Sequence, residues 1–114
     1  MLHPAEHELN QPLSREEAET LAEAMRAFGT ASRLHLLWAM RSEERMVQEL
    51  VAETGLSSSA ASQQLRLLRQ ARLVDVRRSG RNAFYRLHDH HVVDLLTAIR
   101  SHYEHTHTRN EDAL

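Results

Sequence analysis

The stretch VQELVAETGLSSSAASQQLRLLRQARLVDVRRSGRNAFYRL (residues 47–87) changes its hydrophobic period partway along, and that change decides the fold. From residue 46 to Thr54, Val47, Leu50 and Val51 recur at helical spacing. Gly55 supplies a left-handed stop. Ser57 can then cap a second helix over residues 58–71, with Ala61, Leu65 and Leu68 directed inward. Ser58, Ser59, Ser62, Gln63 and Arg66 fall on its other side. Beyond this helix the period drops to two. Residues 73–78 and 83–87 read as strands joined by the turn Ser79-Gly80-Arg81-Asn82. Two helices with a tight joint, the second small and polar at its start, followed by a hairpin, make a winged helix-turn-helix.

Outward from this segment the chain reads as helical. Ser14 and Glu17 have capping-box spacing, and a helix is expected to about Phe28. Ala18, Leu21, Ala22, Met25 and Phe28 share one of its faces, and Gly29 ends it. Thr30 caps a second helix with Leu34, Leu37, Trp38 and Met40 as its apolar residues, and residues 42–45 read as a polar turn. A last helix is expected over residues 90–105. The organisation expected is an N-terminal arm (1–13), one winged helix-turn-helix domain for DNA binding and dimerisation (14–107) and a polar tail (108–114). The fold class expected is mainly α with a β-hairpin wing, built as a homodimer: 114 residues bury only a modest core alone, a size that suits a core shared between two copies.

The net charge of −2 conceals an asymmetry. Residues 57–88 carry Arg66, Arg69, Arg72, Arg77, Arg78, Arg81 and Arg86 against Asp75 alone, whereas both flanks are acidic. A polyanion would meet the middle of the chain. Small polar side chains at the start of a recognition helix allow close approach to base edges, and Gln can pair bidentately with adenine. Ser58, Ser59, Ser62, Gln63, Gln64 and Arg66 are therefore the expected readers of double-stranded DNA. Arg77, Arg78 and Arg81 on the hairpin suit phosphate or minor-groove contacts. A plain solvated basic face is the competing reading. The chain has no cysteine, so disulfides and thiolate metal sites are excluded. No run approaches the roughly 20 apolar residues of a membrane span. The N-terminus lacks the pattern of a secretory signal. A cytoplasmic location without membrane contact follows as the expectation.

The segments ASRLHLLWAM (residues 31–40), 47–87 and DHHVVDLL (residues 89–96) together resemble the ArsR/SmtB family of metal-sensing bacterial repressors. The resemblance spans roughly residues 18–107. It implies a homodimeric winged-helix repressor that binds palindromic operator DNA and leaves it when metal, the effector, binds.

Six of the nine histidines lie between residues 87 and 107. Asp89, His91, His102 and His105 have the spacing D-x-H-x10-H-x2-H. Residues 11 apart on a helix differ by about 20° in direction but by roughly 16 Å along the axis. Zinc ligands, bonding at about 2.0–2.1 Å, cannot span that distance. An antiparallel partner helix would bring Asp89 and His91 of one protomer beside His102 and His105 of the other, giving two equivalent sites. The resembled family includes members with this pattern on the last helix, and carried over residue by residue it makes these four the metal ligands. The plainer alternatives are that Asp89 only caps the helix and that the histidines are solvated or form a low-pH switch. His35 is expected to be packed or capping, and His88 exposed. Three imidazoles and a carboxylate favour Zn(II). Ni(II) or Co(II) would want two further donors, for which His107 and His3 are available. An enzyme is not expected, because the chain lacks a nucleophile motif and a Gly-rich loop. The alternative within the same fold is a winged-helix DNA-binding repressor that answers a signal other than a metal.

Overall fold

The structure, a computed structural model, describes residues 10–113, with side chains as far as residue 104. Helix α1 (Arg15–Arg26) starts at a capping box. The Ser14 hydroxyl accepts from the Glu17 N–H (3.0 Å), and the Glu17 carboxylate accepts from the Ser14 N–H (3.1 Å). The helix stops at Arg26 rather than Phe28, and Phe28 packs against the core. The rest of its apolar face is left uncovered among the described residues: α1 has no buried residue, and Met25 is 66% exposed.

Helix α2 (Ala31–Ala39) is capped by Thr30. Its buried side chains are Leu36, Leu37 and Ala39, whereas Leu34, expected among the apolar set, stays 39% exposed. With leucines at positions 34, 36 and 37, the spacing fits two faces, and packing selects one. The same rotation carries His35 to the surface, against the expectation that it is packed or caps a helix.

The expected polar turn at 42–45 ends in a short strand instead. Strand β1 (Arg45–Met46) pairs antiparallel with the hairpin, Arg45 opposite Tyr85 and Met46 opposite Phe84. Helix α3 (Val47–Thr54) ends at Gly55 with φ +77°, a left-handed cap that glycine adopts without strain. Helix α4 (Ser58–Gln70) begins with the Ser57 hydroxyl accepting from the Ala60 N–H at 3.0 Å. It buries Ala61, Leu65 and Leu68 completely. Strands β2 (Val74–Ser79) and β3 (Asn82–Leu87) form the wing, with Val74 opposite Leu87 and Ser79 opposite Asn82. Only Gly80 of the two-residue connection has positive φ (61°), as a type II′ turn requires at that position. The sheet order is β1-β3-β2.

Helix α5 (His90–Ala113) continues past the expected end at 105. Its Val92 and Leu96 complete a core of Leu36, Leu37, Met40, Leu50, Leu65, Leu68, Val74 and Leu87. Fully burying one such side chain contributes about 1.5–3 kcal/mol, so this cluster fixes α4 and the wing in one body.

Candidate nucleic-acid interface and metal-ligating residues

The burial of Ala61, Leu65 and Leu68 aims the opposite side of α4 at solvent. Ser58, Ser59, Ser62, Gln63 and Arg66 are exposed there, and Ser59, Ser62, Gln63 and Arg66 line one shallow concavity. Arg69 extends this basic surface along the helix. Gln64 does not join it. It is half-buried, and its Oε1 accepts from Arg33 Nη1 at 3.3 Å.

On the wing, Arg78 and Arg81 are exposed. Arg77 is held. Its Nε and Nη2 donate to Glu44 Oε2 at 3.1 and 2.8 Å, and its guanidinium carbon lies 4.7 Å from the Phe84 ring centroid. The Arg77 hydrogen bonds keep the Glu44 carboxyl below its ordinary value, and the Glu44 carboxylate raises Arg77 in turn. Sequence spacing did not signal Glu44, because the pair joins residues 33 positions apart.

At the start of α5, Asp89 Oδ1 accepts from the His91 N–H at 2.9 Å, in the manner of an N-cap. Its Oδ2 lies 3.3 Å from His91 Nδ1. The hydrogen bond from the His91 side chain, with smaller help from the backbone N–H groups of His91 and Val92, holds the Asp89 carboxyl below its ordinary value. Its anionic form is thus favoured, as a metal ligand must be. The His91 side chain is 92% exposed. His102 is also exposed, its ring edge-on to Tyr103 with centroids 5.2 Å apart. Among the described residues of one chain, no three or more His, Asp or Glu side chains come together to hold an ion. Asp89 and His91 make one adjacent pair, and His102 stands roughly three helical turns away. The side chains of His105 and His107, and all of His3, lie outside the described residues. His88, exposed as expected, places Nδ1 3.1 Å from Asp75 Oδ1 on the wing.

Residues 30–76 match the sequence profile described as "Bacterial regulatory protein, arsR family". Over 90 residues the chain is 42% identical to a "Transcriptional repressor SmtB homolog" of Synechocystis sp., an alignment spanning 79% of this chain and 68% of that protein. The chain belongs to the ArsR family. The "HTH-type transcriptional regulator NmtR" of Mycobacterium tuberculosis is 40% identical over 96 residues, 84% of this chain and 80% of its own. Among solved structures, NolR from Sinorhizobium fredii superposes with a TM-score of 0.73 at 38% identity, covering 82% of this chain and 96% of that one. A homodimeric winged helix-turn-helix DNA-binding domain from Mycobacterium bovis, described as a possible ArsR-family regulator, superposes at 0.71 with 27% identity, covering 81% and 88%. This ArsR-family chain is accordingly a transcriptional repressor with a winged helix-turn-helix, and its relatives are regulators rather than enzymes.

Proposed function

We propose that this ArsR-family repressor is metal-responsive. It acts as a cytoplasmic homodimer that holds double-stranded operator DNA through α4 and the wing, and releases it when Zn(II), or in second place Ni(II) or Co(II), is taken up at the C-terminal helices. Among the described residues no helix is long and apolar enough to cross a membrane. The observation that carries the reading is the placement of donors on α5. Asp89 and His91 form an exposed pair at one end, with the Asp89 carboxyl held below its ordinary value by the His91 side chain, and His102 is exposed 11 positions further on, close to the same direction. A donor set split in this way is completed by an antiparallel second copy, with Asp89 and His91 of one protomer facing His102 and His105 of its partner.

Exposed apolar side chains support the same pairing. Leu95 and Ile99 on α5 are 41% and 42% exposed, and Leu21 and Met25 leave α1 uncovered. Faces of that kind are buried when two copies meet. The oxygen and three imidazole nitrogens fit a tetrahedral Zn(II), which would supply a cross-link between the two C-terminal helices. His107 and His3 are the further donors a six-coordinate ion would recruit. On the DNA side, Ser58, Ser59, Ser62, Gln63 and Arg66 are proposed to face the major groove, and Arg78 and Arg81 the phosphates.

Metal and operator oppose each other through one coupling free energy, which is reciprocal. The test is operator binding by fluorescence anisotropy with Zn(II), Ni(II) and Co(II) in parallel, for the natural chain and for His102→Ala. The variant is expected to keep its operator affinity and to lose metal-induced release. Release by His102→Ala at the same metal concentration would show that the ligands are misassigned.

A further inference from the structure

Gln64 lies between an outward residue, Gln63, and a fully buried one, Leu65. Successive helical side chains diverge by about 100°. Its carboxamide therefore has a choice between the solvent side and the body of the protein, and it takes the second. The partner it finds there, Arg33, is the third residue of α2, whose N–H donates to the Thr30 cap at 3.2 Å.

Arg33 grips more than Gln64. Its Nε donates to the Ala27 carbonyl (2.7 Å) and its Nη2 to the Arg26 carbonyl (2.9 Å). Those carbonyls belong to the cap and last residue of α1, and the Arg26 carbonyl also accepts from the Gly29 N–H at 3.0 Å. One planar guanidinium thus joins the end of α1, the start of α2 and the middle of α4. A rigid fork of donors transmits orientation in a way a flexible ammonium does not. The link carries weight because, among the described residues, α1 has no buried side chain. A helix without apolar anchors is placed by whatever holds its ends.

We infer that Arg33 and Gln64 form a positioning link that sets the recognition helix α4 relative to α1, and that Gln64 serves operator binding through this link rather than by touching a base. The inference rests on the reading that two copies meet partly through α1 and read DNA with α4. It separates two neighbouring glutamines that sequence alone treats alike. Gln63 selects bases, whereas Gln64 fixes the angle at which the reading surface is presented.

The experiment uses the full chain and a duplex enriched from a random-sequence pool by the natural protein, together with single-base-pair variants of that duplex. Gln64→Met keeps the size and removes the acceptor. It is expected to weaken every duplex alike, by about three- to tenfold, and to speed amide hydrogen exchange in α1. Combined with Arg33→Lys it should add little to the loss that either change produces alone. Gln63→Ala is expected to change the base preference at one position and leave α1 exchange as it was. A change of preference at a single base pair in Gln64→Met would overturn the inference. So would unchanged α1 exchange in Gln64→Met, a readout that needs no DNA. If the natural chain enriches no duplex at all, the repressor reading fails by itself, while the exchange measurement still judges the link.

Discussion

Two residues carry consequences larger than their size. Arg72 has φ +62°, the left-handed region, and is the non-glycine residue there among those described. It stands just past the end of α4, where the Leu73 N–H donates to the Leu68 carbonyl and the Arg72 N–H to the Arg69 carbonyl, both at 3.0 Å. That is a Schellman cap, which usually employs glycine. Arg72→Gly should therefore stabilise the fold by about 0.5–1 kcal/mol, read as a higher urea midpoint. A lower midpoint would mean that the arginine side chain holds the cap. Glu44 gives a pH signature. Its carboxyl is depressed below the ordinary 4.5 by the Arg77 hydrogen bonds, so the pair's contribution is whole above that value. It fades as pH falls through the lower, folded-state value. A carboxyl NMR titration should find the Glu44 midpoint below those of exposed glutamates, and Arg77→Met should return it to the ordinary range. An ordinary midpoint in the natural chain would refute the pairing.

Among the elements, those specified by neighbouring residues could be read from the sequence, and those specified by distant ones could not. The Gly55 stop, the Ser57 cap and the Gly80 turn follow from local backbone chemistry, and the structure has them where the sequence places them. Strand β1 has two residues, too few for any period, and exists only because Tyr85 and Phe84 offer it an edge. The choice between Leu34 and Leu36 in α2 was likewise made by the core rather than by the helix. The Asp89–His91 pair was legible because it spans a single helix start, whereas the fate of Gln64 was not, since a carboxamide suits adenine and arginine equally. Helix α5 divides its faces: Val92 and Leu96 face inward, while Leu95 and Ile99 remain half in water. In the proposed two-fold seam each substitution is felt twice. Ile99→Arg is expected to weaken dimerisation by on the order of 3 kcal/mol, more than a hundredfold in the dissociation constant, by sedimentation equilibrium. An unchanged dimer would remove α5 from the seam.

At the scale of the molecule, the acidic flanks and basic centre become a spatial division. The arginines gather on α4 and the wing, and the helices with uncovered apolar faces, α1 and α5, lie outside that region of the chain. Helices α2 and α5 meet at Trp38. Arg41 and Arg100 place their guanidinium carbons 4.8 and 4.7 Å from its ring centroid, and Arg100 stands two positions before His102 on α5. Trp38 is the single tryptophan of the chain. An indole flanked by two fixed cations has an emission maximum set by where those charges sit, so a displacement of α5 past α2 shifts its colour. Under the proposed metal response the protein carries an intrinsic optical gauge: added Zn(II) should move the tryptophan emission over the same concentrations at which it releases DNA, with no label attached.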